Sequence, residues 1–299
     1  MLRTRLLISA ILIPLFIALC WLDAQSGRYA LVLMPLALAM AIQCCRELTS
    51  LLSLSPGSRA GSTAGCLLIL LTLWLAHAAL PENYQAGEIG TILLPLGAAL
   101  IAFAVVTQTL LFVRTVRFLH PGGHAARLGS EIFCVSYIGV LLACVASLRW
   151  IGGGELGYLA LGSLVIGAKI GDVGGYAFGR LFGKTKLAPV LSPGKTRAGA
   201  LGAILTAAVG TALWLRYAGP LFAPAAAIGS WPHLLLFGAL LGMVGLVGDL
   251  AESLLKRDAG MKDASHLMPA FGGLLDLIDS ILYAAPVALL IWFVWPPVM

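Results

Sequence analysis

Residues 93–112, LLPLGAALIAFAVVTQTLLF, are apolar on every side of a helix and carry no charged residue. A bilayer core roughly 30 Å thick needs about 20 such residues in a helix. A membrane barrel strand would instead alternate over segments of about ten residues, and no alternation is present. The stretch predicts a transmembrane helix, and the chain around it repeats the pattern. Of 299 residues, 60% are hydrophobic and only 11% charged, with a mean hydropathy of +0.97. That balance excludes a globular domain surrounded by water and predicts an all-α, polytopic membrane protein.

Working outward, the apolar runs divide into about nine spans near 6–22, 29–45, 64–80, 90–112, 130–148, 156–178, 198–217, 233–255 and 274–295. Arg3 and Arg5 ahead of the first run also suit a signal peptide, but no small-x-small cleavage site follows, so the run is read as a span. With the N-terminus inside, the connections facing outward hold only Arg28, Arg149 and Arg216. Fifteen other Lys and Arg, from Arg3 through Lys262, fall on the other side. The positive-inside rule then predicts a cytoplasmic N-terminus and cytoplasmic polar loops, as in an inner (plasma) membrane protein. The net charge of +6 belongs to those loops, where it matches lipid headgroups and phosphates better than nucleic acid. Cys20, Cys44, Cys45, Cys66, Cys134 and Cys144 all lie in or beside apolar runs without metal-ligand spacing and read as buried hydrophobes.

The two halves differ. Up to about residue 155 the spans are nearly free of ionisable groups, so 1–155 reads as scaffold and a lipid-facing wall; from Lys169 onward charges enter the spans, and 156–299 is expected to carry the chemistry. Ionisable groups at membrane depth are costly and normally face a bundle interior or a wet cavity. The first polar block is 169–202, KIGDVGGYAFGRLFGKTKLAPVLSPGKTRAGALG. Asp172 ends an apolar stretch, Arg180, Lys184 and Lys186 follow among glycines, and Ser192-Pro193-Gly194-Lys195-Thr196 resembles a phosphate-cradling turn ahead of a helix. It is not a Walker A loop, which needs glycine where Pro189 stands. The same block also reads as a plain basic loop obeying the positive-inside rule.

The second block is more informative. Asp249, Glu252, Ser253 and Lys256 fall at i, i+3, i+4 and i+7, and so do Asp276, Asp279, Ser280 and Tyr283, so each set shares one helical face. Between them lie Arg257, Lys262, Asp263, Gly272 and Gly273. Four aspartates without a thiol or histidine cluster suit Mg²⁺ rather than zinc or iron. Metal, cations and little covalent chemistry from the protein are what nucleotidyl transfer needs; an ion-paired helix junction is the plainer alternative. His120 and His124 have metal-like spacing, but Pro121-Gly122-Gly123 breaks the helix that would align them. His266 lies within the second block.

The stretch 253–279, SLLKRDAGMKDASHLMPAFGGLLDLID, resembles the signature of phosphatidate cytidylyltransferases: S-x-x-K-R, K-D, a P-x-H-G-G turn and D-R-x-D. Ser253, Lys256, Arg257, Lys262, Asp263, Pro269, Gly272, Gly273, Asp276 and Asp279 fall on its spacing. Upstream, Asp172, Gly174, Tyr176, Arg180, Lys184, Lys186, Pro189, Ser192, Lys195 and Thr196 match the family's segments, and the specific match covers about residues 169–290. Phe271, Leu277 and Ala198 stand where the signature has histidine, arginine and glutamate.

The resemblance implies transfer of CMP from CTP to phosphatidate, giving CDP-diacylglycerol and pyrophosphate. It implies Mg²⁺ on Asp249 and Asp276, with K⁺ beside it, and Asp263 and Asp279 completing or orienting that shell. Lys256, Arg257 and Lys262 would hold CTP phosphates near the Ser253 hydroxyl. Asp172, the 180–196 segment with Arg180, Lys184, Lys186, Ser192, Lys195 and Thr196, and Gly272 and Gly273 would contact substrate. Membrane lipids are partners, with room left for a homodimer. Three alternatives stand beside this reading: a CTP-dependent enzyme acting on another lipid phosphate or polyprenol, a transporter of a phosphorylated solute, and a catalytically silent homologue.

Overall fold

The computed structural model of the chain describes residues 2–80, 87–118, 120–265 and 272–298. His266, Pro269 and Phe271, singled out above, lie outside the described residues. The fold is almost entirely helical: α1 (Leu2–Gln25), α2 (Leu33–Leu51), α3 (Pro56–Ala79), α4 (Gly87–Val116), α5 (His124–Cys134), α6 (Leu141–Ser147), α7 (Gly157–Phe182), α8 (Arg197–Phe222), α9 (Trp231–Asp258) and α10 (Leu274–Val294). A π-helical turn, Val135–Val140, joins α5 to α6.

Among the described residues six helical stretches are long and apolar enough to cross a membrane: α3, Gly90–Val116 of α4, the continuous run His124–Gly154, α8, α9 and α10. The other three expected spans fall on α1, α2 and α7. Of α1, Ile13–Gln25 is an apolar run among the residues whose side chains are described, while Arg46 and Glu47 dilute α2, and Lys169 and Asp172 dilute α7.

The chain packs as two units, residues 1–146 with 263–277, and residues 147–262 with 278–299. In the first, α2, α3 and α5 meet at Cys45, Cys66 and Cys134, with Sγ–Sγ separations of 3.2 and 3.9 Å. All three are fully buried and act as small apolar side chains. Two polar contacts cross the same interior. The Asp23 carboxylate, at the end of α1, accepts the backbone N–H groups of Val32 and Leu33, both at 3.0 Å, and so caps α2 from outside it. Arg114 of α4 forms a two-pronged pair with Glu131 of α5 and donates to Ser58 Oγ of α3 at 2.7 Å.

In the second unit, α7, α8 and α9 approach until backbones nearly touch, and small residues make this possible. A Cβ on Gly174 would overlap the Thr206 side chain, and one on Gly238 would lie 2.7 Å from the Ala207 carbonyl oxygen. Where apolar lipid offers helices no hydrophobic reason to associate, such close contact supplies the attraction. Trp214 Nε1–H donates to the Leu159 carbonyl at 3.0 Å and Trp292 Nε1–H to Ser163 Oγ at 3.1 Å, so both indoles place their polar edge on a partner inside the bundle.

One expectation is corrected. Ser192–Thr196 is a strand rather than a phosphate-cradling turn. β1 (Lys186–Ala188) and β2 (Ser192–Thr196) form an antiparallel hairpin in which Lys186 faces Thr196 and Ala188 faces Ser192. The composition Ser-Pro-Gly suggests a turn, but the ladder to β1 decides the local conformation. The N-terminus of α8 that follows is closed by its own residue: Thr196 Oγ1 accepts the Gly199 N–H at 3.1 Å.

Candidate active site

The second unit gathers the polar residues of α7, the hairpin, α9 and α10. Lys169 on α7 donates from Nζ to Asp172 Oδ2 and to Ser280 Oγ of α10, each at 2.9 Å. Ser280 Oγ lies 3.4 Å from the same Asp172 oxygen. Lys195 of β2 reaches across to α9 and pairs with Asp249 Oδ2 at 3.1 Å. One turn further on, Lys256 closes on the buried Glu252. Asp279, buried at 4% exposure, accepts the Ser280 N–H on Oδ1 at 2.6 Å and faces the Asp249 carboxyl.

The close approach of α9 to α10 depends on Gly248. A Cβ on Gly248 would sit 3.2 Å from the Asp279 carbonyl and closer still to Tyr283 Cβ, so glycine there brings the carboxylates of the two helices together. The cluster holds four carboxylates (Asp172, Asp249, Glu252, Asp279) against three lysines (Lys169, Lys195, Lys256). Carboxylates crowded together at this depth repel one another, and the lysines offset part of that cost. A bound cation would relieve it further. All the donors are oxygens, the set a hard divalent ion such as Mg²⁺ prefers, and Lys195 already brings positive charge to Asp249. Among the described residues no three His, Cys, Asp or Glu side chains converge on a single ion position.

Around this cluster the cations expected to meet phosphate are exposed. Lys184, Lys186 and Lys262 point to solvent, and Arg180 is exposed with Nη1 on Tyr176 Oη at 3.0 Å. Arg257 reaches back to the hairpin connection, with Nε 3.4 Å from the Leu191 carbonyl oxygen. Ser192 and Ser253 are half-buried. Sequence spacing thus anticipated the members of α9 and α10, and the structure adds Lys169, which the sequence marks only as the first charge to enter the later spans.

The remaining sequence-derived residues belong to the first unit and are organised around the start of α10. Gly272 has a left-handed backbone, φ +90°, and Gly273 is the residue ahead of the helix. Asp276, three residues into the helix boundary, turns back so that Oδ2 accepts the N–H of Gly273 at 2.7 Å and of Ala264 at 2.9 Å. This is the return half of a capping box. A Cβ on Gly272 would lie 2.6 Å from that oxygen and 3.2 Å from Asp263 Cβ, which is why glycine stands there.

A second carboxylate arrives from α2. Glu47 takes the N–H groups of Leu274 at 3.0 Å and Leu275 at 2.7 Å. Sequence reasoning missed Glu47 because the first half looked chemically silent; an acidic residue inside the α2 run was the available signal.

A family model described as the cytidylyltransferase family matches residues 3–295. The chain is 30% identical over 287 residues to the phosphatidate cytidylyltransferase of Staphylococcus epidermidis, covering 95% of each chain. It is 38% identical over 115 residues to the phosphatidate cytidylyltransferase of Haemophilus influenzae, which is 38% of this chain and 39% of that one. It is also 40% identical over 116 residues to the uncharacterized protein YnbB of Escherichia coli, 39% of this chain and 36% of that protein. Its apolar helices make it a multi-pass membrane protein. Because the model matches almost the whole length of the sequence, the chain belongs to the cytidylyltransferase family.

Proposed function

We propose that the chain is a phosphatidate cytidylyltransferase, a nucleotidyltransferase that makes CDP-diacylglycerol from CTP and phosphatidate. The observation that carries the reading is the cluster of carboxylates and lysines on α7, β2, α9 and α10, bordered by the basic hairpin. A phosphatidate phosphate oxygen attacks the α-phosphorus of CTP, the bond from that phosphorus to the bridging oxygen breaks, and pyrophosphate leaves with the electron pair. Arg180, Lys184, Lys186 and Lys262 offer exposed charge to the nucleotide and lipid phosphates. Lys195 and Arg257 tie the hairpin to α9 and so hold that basic segment against the carboxylates.

By the family resemblance, Asp249 and Asp276 would hold Mg²⁺, which would neutralise charge growing on the phosphate oxygens. The charge asymmetry of the loops supports a cytoplasmic N-terminus, nine crossings and a site open to the cytoplasm, where CTP is found.

The test is pyrophosphate release by purified protein in detergent with phosphatidate, CTP and Mg²⁺, beside Asp249→Ala. Release is expected to need lipid, nucleotide, metal and Asp249. Release without lipid, or undiminished by a chelator, overturns the reading.

A further inference from the structure

We propose that Glu47 is a positioning residue for the reaction, holding the start of α10 and Ser265 in register from a helix more than two hundred residues away in sequence. The proposal rests on the cytidylyl-transfer reading above. Glu47 is buried at 3% exposure on α2. Its Oε1 accepts from Gln43 Nε2 at 2.8 Å, from Ser265 Oγ–H at 2.8 Å and from the Leu274 N–H at 3.0 Å. Its Oε2 accepts from the Leu275 N–H at 2.7 Å. Four donors therefore converge on one carboxylate, two of them the first backbone amides of α10.

The first amides of a helix lack partners within it, and a negative charge there is favoured by the helix dipole. In a nucleotide enzyme that vacancy often receives a phosphate. Here a protein carboxylate fills it, so the beginning of α10 is an internal joint. Gly273 permits the approach, since a Cβ at that position would lie 2.7 Å from Glu47 Cδ and nearer to its oxygens. Asp276 takes the neighbouring amides of Gly273 and Ala264. Between them, Glu47 and Asp276 anchor Ala264, Ser265 and the first residues of α10. They set the axial start of α10 and the rotation at which it presents Asp276.

The geometry also says which substitution is informative. Glutamine has nearly the same shape, but one of its two ends is an NH₂ donor, and every partner around Glu47 is itself a donor. Glu47→Gln therefore sets donor against donor at one end while preserving volume. Ser265→Ala removes a single one of the four donors and leaves both backbone bonds.

The experiment measures lipid-dependent pyrophosphate release by full-length wild type, Glu47→Gln and Ser265→Ala in detergent. Rates are normalised to folded protein by gel filtration and thermal midpoint. Losing the support of a group that orients reacting residues is expected to lower kcat by roughly 10- to 100-fold for Glu47→Gln while KM for CTP changes by less than about threefold. Ser265→Ala should fall in the same direction by a smaller factor. A purely structural role would lower the amount of folded protein and leave kcat per folded molecule intact, so a wild-type kcat in Glu47→Gln overturns the proposal, as does a loss confined to KM. If Glu47→Gln does not fold, Ser265→Ala decides, and an unchanged kcat there overturns it. An inactive wild type overturns the reaction and the proposal together, whereas an active wild type with a fully active Glu47→Gln overturns the proposal alone.

Discussion

Asp276 offers the most direct separation of structural from chemical work. Its Oδ2 accepts two backbone N–H groups, at 2.7 and 2.9 Å. Hydrogen bonds to a charged acceptor contribute about 1.5–3 kcal/mol each. The carboxylate is only half-buried, and the freed amides can reach water, so Asp276→Ala should destabilise the closed loop by about 2–4 kcal/mol in total. At about 1.36 kcal/mol per tenfold, the Gly273 and Ala264 amides should exchange with solvent roughly 30- to 1,000-fold faster. Asp276→Asn keeps an oxygen able to accept both bonds but loses the charge, and should raise exchange only about 5- to 30-fold. Hydrogen exchange followed by mass spectrometry over this segment reads the difference directly. Exchange in Asp276→Ala within about threefold of wild type would refute the anchoring argument. Activity in the asparagine variant then reads the second role: with the loop largely kept, loss of turnover reports that the negative charge itself is required, as for an ion ligand, and retained turnover confines Asp276 to the loop.

Two further outcomes follow from packing. Arg114→Ala leaves the buried Glu131 carboxylate without its cation and should destabilise by about 3–5 kcal/mol, seen as a lowered thermal midpoint in detergent; an unchanged midpoint would show the pair to be dispensable. Gly174→Ala should cost about 1–3 kcal/mol by overpacking against Thr206, and adding Thr206→Ala should recover only part of it, because Oγ1 and Cγ2 are removed but Thr206 Cβ still lies 2.6 Å from the new methyl; no recovery at all would place the strain elsewhere.

Much of the helical architecture is legible in the sequence because apolar runs of about twenty residues have few alternatives in lipid. The residues of α9 and α10 are legible for a related reason, since a carboxylate in an apolar chain is conspicuous and i, i+3, i+4 spacing gathers it onto one face. What was not legible depends on partners distant in sequence. Nothing in the local sequence QCCRELTSL around Glu47 indicates that α10, more than two hundred residues later, begins beside it. The Ser192–Thr196 segment has a turn-like composition, and only its ladder to Lys186–Ala188 makes it a strand. The sequence marks Lys169 only as the first charge inside the later spans, and its role depends on Asp172 and on Ser280, more than a hundred residues away.

The distribution of sulfur has a practical consequence. All six cysteines fall within residues 1–146, and all but the half-buried Cys20 are buried. A thiol reagent added to the folded protein therefore meets little to react with, and the rate at which the other five become labelled counts openings of the first unit alone. Loss of structure confined to residues 147–262 and 278–299 is silent in that assay. The unmodified chain thus carries its own chemical clock for one of its two units, against which the order of their unfolding can be timed by any probe of the other.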